Sequence, residues 1–261
     1  MEKIIYYQDE LKDEFSTAQI TPKHIDGNYI YVHKGLWKRF THLFWYRIVA
    51  TPIAFCFLKL KFRHKIINKS VLKQGRKTGY FLYGNHTHPQ CDAFIPTMVN
   101  NPKDTYVIVH PDNVSMPVLG AITPSLGALP LPDDMEAGRH FMEAVTTRIR
   151  EKNCVTIYPE AHIWPYYTKI RPFSDQSFAY PIKEKAPVYC FTNTYQKRKG
   201  SKTPRIVTYV DGPFYPKQDL KGKAQRKDLR DQVYHTMVKR SENNTVCMIR
   251  YEKKGNGEKC E

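Results

Sequence analysis

The sequence predicts an α/β protein with a mixed, mainly parallel sheet flanked by helices, preceded by a helical segment that lies in a membrane interface. Three observations carry this. From Tyr80 onward, short apolar runs alternate with stretches of helical periodicity, the pattern of β–α–β units. Several of those runs stop at Gly, Asn or Pro, as buried strands do. Upstream, residues 36–62 read LWKRFTHLFWYRIVATPIAFCFLKLKF, aromatic throughout and basic at both ends. Residues 1–70 are therefore read as a lead-in plus the interface segment, and 71–261 as the α/β domain.

Residues 1–35 form a polar lead-in with a short extended piece at 28–33. The 36–62 segment is interrupted by Arg47 and Pro52, which shortens the apolar run below the roughly 20 residues a spanning helix needs. A helix or broken helix pair lying in the interface fits better, with Lys38, Arg39, Lys59 and Lys61 near phosphates; a core helix covered by the domain is the competing reading. A basic connector leads to the first strand, GYFLYGN (79–85). Pro89 opens a helix that runs to Asn100. Strands follow at 105–110 and 126–131, then a helix over 135–152 capped by Asp133 or Asp134. Further strands are read at 153–160, 187–195 and 204–214. A basic amphipathic helix at roughly 221–241 precedes a loose tail, 253–261.

The 261 residues carry 41 Lys+Arg against 25 Asp+Glu, a formal net charge of +16, and 41% are hydrophobic. Such a chain can bury a globular core, and its charge attracts polyanions such as anionic lipid, an acidic carrier protein or nucleic acid. No nucleic-acid motif accompanies the charge, so nucleic acid is not expected as a partner. The six cysteines form no CxxC pair, which suggests reduced thiols of a cytosolic protein. The mixed charge and short apolar content of the first fifteen residues are not those expected of a signal peptide.

In open α/β sheets, chemistry collects beyond the C-terminal ends of strands. Two such ends stand out, GNHTHPQCDAF (84–94) and YPEAHIWPYY (158–167). A histidine becomes a general base when a carboxylate accepts its other N–H, and either His86 or His88 could use Asp92. The His86-x-His88 spacing also suits a metal-dependent hydrolase, with His110, His140 and His162 as distant ligands. No GxSxG supports a serine hydrolase.

Asn85-His86 followed by Asp92, then Tyr158-Pro159-Glu160, then Pro187-Val188 resembles the glycerolipid acyltransferase family that includes the lysophosphatidic acid acyltransferases. The similarity covers roughly residues 75–215. It implies that His86 is the base, because Asn85 precedes it, and that Asp92 orients it. It also implies that Asn85, Gly127, Pro159, Glu160, His162 and Arg171 contribute to substrate binding. The reaction implied moves a fatty acyl group from acyl-CoA or acyl carrier protein to a hydroxyl of a lysoglycerolipid, with 1-acylglycerol 3-phosphate the expected acceptor, in phospholipid synthesis. Backbone N–H groups at the helix start would hold the oxyanion. No metal site and no cofactor are implied, only the acyl thioester as co-substrate. The implied partners are a lysolipid acceptor and an anionic membrane surface, with the enzyme peripheral or monotopic on the cytoplasmic face.

This chain departs from the family pattern in three places. Five residues separate His86 from Asp92 where four are usual. Ala161-His162-Ile163 stands where the family has Gly-Thr-Arg, and Pro132-Asp133-Asp134 where a second arginine is expected. Either Arg171, Lys169, His162 or Arg139 replaces the phosphate-gripping arginines, or the acceptor differs. A non-catalytic lipid binder is the remaining alternative. The aromatic cluster at 164–167 either borders an acyl groove or belongs to the core.

Overall fold

The computed structural model describes residues 3–15, 20–33, 35–117 and 119–255; the side chains of Lys38 and Arg39, Cys260 and the tail beyond Gly255 lie outside the described residues. In chain order the elements are β1 (Lys3–Tyr7), α1 (Leu36–His42), a π-helical stretch (Leu43–Ala50), α2 (Thr51–Phe62), β2 (Lys65–Ile67), a 3₁₀ stretch (Lys69–Lys77), β3 (Tyr80–Gly84), α3 (Cys91–Asn100) and β4 (Thr105–Val109). Next come α4 (Asp112–Ser115), α5 (Leu119–Ile122), β5 (Ala128–Pro130), α6 (Met135–Arg150), β6 (Cys154–Ile157), α7 (Ala179–Glu184), β7 (Val188–Gln196), β8 (Arg205–Phe214), α8 (Gly222–Ser241) and β9 (Ile249–Lys253).

Seven strands form one sheet in the order β2-β8-β7-β3-β6-β4-β5. Its pairings are parallel except β7 with β8, the mixed, mainly parallel sheet expected. Both faces are covered, and the strands alternate between two cores. Phe81 and Tyr83 of β3 join a core with α6 and α8, while Tyr80 and Leu82 join one with α2 and α3. That alternation explains why β3 reads as an unbroken apolar run. Asp134, not Asp133, caps α6, its carboxylate accepting from Ala137 N–H at 2.7 Å; Asp133 instead accepts from Ile25 N–H. On α8, Leu229, Val233 and Met237 make the buried stripe.

Three parts of the expectation change. The lead-in and the tail meet: β1 and β9 pair in parallel as a separate two-stranded sheet. These ends are far apart in sequence, and each is a five-residue run that stays largely exposed or half-buried, so neither shows a buried-strand pattern by itself. The 28–33 piece is not a strand. It crosses the outer core irregularly, with Tyr31 buried and its hydroxyl donating to Pro130 C=O at 3.0 Å. The basic connector supplies β2, which pairs with β8.

The 36–62 segment is helical throughout, and Pro52 is absorbed in the first turn of α2, where its missing N–H costs least. Phe40–Phe62 is long and apolar enough to cross a membrane by length and composition, and little of it is buried. Its buried side, with Tyr46, Ala54, Leu58 and Phe62, lies on the domain. Leu36, Trp37, Phe40, Leu43, Ile48 and Leu60 are each more than half exposed. Arg47 turns toward the domain and ion-pairs with Asp104 at 2.5 Å, so this charge does not break the exposed apolar face. Lys59 donates to His64 C=O at 2.9 Å, and Lys61 lies over the Phe57 and Phe62 rings.

Candidate active site

β3 ends at Gly84, where any side chain would collide with the Phe191 ring. The chain then turns through residues 85–90 into α3. Asn85 fixes the start of that turn. Its amide donates to Asn193 C=O at 3.1 Å and accepts from Asn193 N–H at 2.8 Å, stitching the loop to β7. Both amide functions are consumed and the residue is 1% exposed, so Asn85 shapes the loop instead of offering a hydrogen bond to a ligand.

Asp92 sits in the first turn of α3 and is 2% exposed. Its Oδ2 accepts from His86 Nδ1 at 2.9 Å, Thr87 N–H at 2.8 Å and His88 N–H at 2.9 Å. Oδ1 accepts from the Asn193 amide at 3.4 Å. The extra residue between His86 and Asp92 is accommodated by this wrapped loop. Since an ionised carboxylate only accepts, the His86 proton is assigned to Nδ1, leaving the Nε2 lone pair as the basic atom. Nε2 has no hydrogen-bond partner among the described residues, and the ring retains 17% exposure. The Tyr158 ring stacks on the imidazole at 4.3 Å and its hydroxyl donates to Asp92 C=O at 2.5 Å.

His88 has a different task. Its Nδ1 accepts from Gln90 N–H at 3.3 Å and Cys91 N–H at 3.2 Å, capping α3. The ring is wedged between Phe62 and Tyr166, and Nε2 is buried without a partner. Burial holds its pKa below the ordinary histidine value, outweighing the pull of Asp92. The pairing that remained open at His86 or His88 is thus made by His86. The helix-start N–H groups of Thr87, His88, Gln90 and Cys91 are all taken by Asp92 and His88. They are therefore not free to hold an oxyanion, contrary to expectation.

The second strand end closes around the first. Trp164 N–H donates to His86 C=O at 3.2 Å, and Tyr166 N–H to Thr87 C=O at 2.8 Å. Pro159, half-buried, joins Tyr158 to Glu160. Glu160 is fully buried: its carboxylate accepts from His86 N–H at 3.3 Å and Arg171 N–H at 3.3 Å, and pairs with the Arg171 guanidinium at 3.5 Å. Burial raises the Glu160 pKa while Arg171 opposes the rise.

Arg171 was a candidate phosphate clamp, and the structure removes it from that role. It is 0% exposed, donates to the carbonyls of Glu10 at 3.1 Å, Glu160 at 3.1 Å and His162, and lies 4.9 Å over the Trp164 ring. Glu160 likewise faces inward, its carboxylate taken up by His86 N–H and Arg171. His162 ion-pairs with Glu14 at 3.4 Å, Lys169 is exposed, and Arg139 faces solvent beside Glu136. Trp164 is 0% exposed, stacked on Tyr251, and belongs to the core. Gly127 is not brought to the site. Ala128, which follows it, is level with Leu82 and three strands away. Its φ of +91° and the Thr105 carbonyl, 2.5 Å from an added Cβ, explain glycine there by backbone geometry alone.

Sequence reasoning missed the group behind the pair. Asn193 accepts from Thr208 hydroxyl at 2.7 Å, and Thr208 contacts His64 Nε2 at 2.8 Å. A buried polar chain thus runs from Asp92 across β7 and β8. The signal was an asparagine inside the otherwise apolar strand run PVYCFTNTY. Among the described residues, no group of three or more His, Cys, Asp or Glu is placed to hold a metal ion.

A carboxylate-supported imidazole at the C-terminal end of a central parallel strand, with its second nitrogen open, is an arrangement that suits general-base chemistry in an α/β enzyme. Residues 63–193 match the model of the Acyltransferase family. That match spans half the chain and includes His86, Asp92 and Glu160, so the chain belongs to the acyltransferase family and is an acyltransferase. Among solved structures, the chain is similar to the 1-acyl-sn-glycerophosphate (LPA) acyltransferase PlsC from Thermotoga maritima. The TM-score is 0.52 and the identity 14%, over 79% of this chain and 81% of that one. At that identity the likeness speaks to the fold. No curated protein sequence matches the chain.

Proposed function

We propose that this acyltransferase moves a fatty acyl group from acyl-CoA or acyl carrier protein to the free hydroxyl of a lysoglycerolipid, with 1-acylglycerol 3-phosphate the first acceptor to test. The observation that carries it is the 2.9 Å His86 Nδ1–Asp92 Oδ2 contact within the family-matched segment. The open Nε2 accepts the proton of the acceptor hydroxyl, and the oxygen attacks the thioester carbonyl. The tetrahedral intermediate collapses with cleavage of the C–S bond. The imidazolium then returns its proton to the departing thiolate, leaving ester and thiol. Asp92 keeps the ring in the Nδ1–H tautomer and supports the imidazolium charge. Glu160 acts from behind, holding the His86 backbone. Pro159 and Asn85 likewise position the base, by shaping the two loops that meet around it.

The exposed apolar side of the 36–62 helix supports work at a membrane surface, peripheral or monotopic; the cytoplasmic face is part of the same proposal and rests on the family resemblance. Phe62 at the end of that helix packs edge-on against His88 at 5.0 Å, so an acceptor held in the membrane interface needs little displacement to reach His86.

The test is acyl transfer from labelled acyl-CoA and acyl carrier protein to lysophosphatidic acid, glycerol 3-phosphate, neutral lysolipids and glycolipids, with His86→Ala as control. Transfer to lysophosphatidic acid that is lost in His86→Ala is the expected result. Transfer to uncharged acceptors alone would overturn the choice of acceptor, and His86-independent transfer would overturn the mechanism.

A further inference from the structure

At the N-terminal ends of β3, β4 and β6, the end of the sheet away from His86, the chain forms a cavity of about 480 Å³. Arg47, Lys69, Arg76, Lys103 and Lys152 line it, against one acid, Asp104. That acid is already matched, by Arg47 at 2.5 Å and His42 at 3.5 Å. Lys103 donates to the carbonyls of Arg76, Thr78 and Lys152, and Lys69 to Met98 C=O at 2.8 Å. Those bonds hold the ammonium groups in place without neutralising them. Burial, with Arg76 beside one lysine and Lys152 beside the other, pulls both lysine pKa values down. Arg76 and Lys152 are exposed, and their side chains form no hydrogen bond or ion pair among the described residues. A cleft of one charge sign with low-dielectric walls concentrates anions.

The rim of the cavity narrows the class of anion. Arg47 comes from the exposed apolar helix, and its neighbours Leu43, Phe44 and Ile48 are 53%, 39% and 62% exposed. A ligand with its charge in the cavity therefore meets apolar surface beside it. We propose that this cavity binds the phosphate of an anionic phospholipid and so orients the 36–62 helix on the membrane, at a site separate from acyl transfer. The inference rests on the interfacial reading of that helix. From Arg47 to Phe62 the helix covers about 22 Å, so a membrane lying along it reaches both the cavity and the His86 end of the sheet.

Co-sedimentation tests this with vesicles of phosphatidylcholine alone and of phosphatidylcholine mixed with phosphatidic acid. The variant is Arg76→Ser with Lys152→Asn, asparagine tolerating the left-handed backbone at that position (φ 64°). The control is Lys221→Ser with Lys223→Ser, which removes the same charge from exposed positions at the start of α8. The wild type should prefer the mixed vesicles. The cavity variant should lose about 30-fold in that preference while keeping its binding to phosphatidylcholine, and the control should lose much less.

Equal losses in the two variants would mean diffuse attraction and overturn the site. Displacement of wild type from mixed vesicles by millimolar inorganic phosphate at constant ionic strength would make free phosphate the ligand and overturn the lipid assignment. A wild type that binds phosphatidylcholine with no gain from phosphatidic acid overturns the site but leaves the interfacial reading standing. Binding to neither vesicle overturns both. Acyl transfer to detergent-dispersed acceptor tests the proposed reaction independently.

Discussion

Replacing Asp92 with asparagine removes one charge and little volume, and the surroundings of Asp92 set the expected size of the effect. Oδ2 collects three N–H groups at 2.8–2.9 Å, from His86, Thr87 and His88. In Asp92→Asn the amide oxygen would face those donors, turning its NH₂ toward the Asn193 amide nitrogen, 3.4 Å from Oδ1 in the native chain. Asn193 can flip to accept only if Thr208, which now donates to it at 2.7 Å, reverses its own bond. Three charge-assisted bonds become neutral ones at a loss of about 1 kcal/mol each, partly offset because no carboxylate is buried. A net destabilisation of about 2 kcal/mol follows, about 4–8 °C in Tm for a domain of this size. Activity should fall much further. The carboxylate no longer supports the imidazolium, and such a change costs about 10³–10⁴ in turnover. Initial rates of acyl transfer well below the Tm, with thermal denaturation of the same samples, separate the two effects. An Asp92→Asn enzyme that stays folded and keeps turnover within about tenfold of wild type would refute the assignment of Asp92.

Three further outcomes are expected. His88→Ala should cost about 1 kcal/mol, since it uncaps α3, while retaining most of the turnover that His86→Ala abolishes; calorimetry and initial rates on both variants check this. Arg171→Met should destabilise by about 3–5 kcal/mol because it strands the buried Glu160 carboxylate, and adding Glu160→Gln should recover part of that in denaturant titration. For pH, burial, with Lys59 and Lys69 nearby, holds the His64 pKa at about 4 against the usual 6.5. The unfolded chain therefore takes up the proton first. The stability His64 contributes is whole above pH 6.5 and is lost as pH falls from there to about 4, about 3 kcal/mol in all. Denaturant midpoints between about pH 7 and 4 should fall less steeply in His64→Gln than in wild type.

Much of this was legible in the chain itself. The apolar runs at 80–84, 154–157 and 188–195 identify central strands because each is buried on both faces, and the run at 105–109, half-buried from Val107 on, lies one strand in from the edge. The loop after the first of them and the helix it opens carry His86 and Asp92 within seven residues, so their pairing is a local event that spacing and a strand-to-helix turn foretell. The 36–62 stretch declared its apolar character by composition. Sequence alone could not say on which side Arg47 falls, and so whether the exposed face is unbroken.

Only the tertiary structure decided the rest, and the common reason is separation along the chain. The parallel β1–β9 pair joins residues at opposite ends of the sequence, and two short strands that are nowhere fully buried carry no clear signal until they meet. Arg171 looked available as a cation for a phosphate. Its burial against Glu160, Trp164 and the lead-in takes it inside, because a guanidinium with that many acceptors is held where they converge. His88 and His86 are chemically the same residue two positions apart. One caps a helix with its Nδ1 and the other gives that atom to a carboxylate, a distinction set by the direction each ring faces as the loop wraps Asp92.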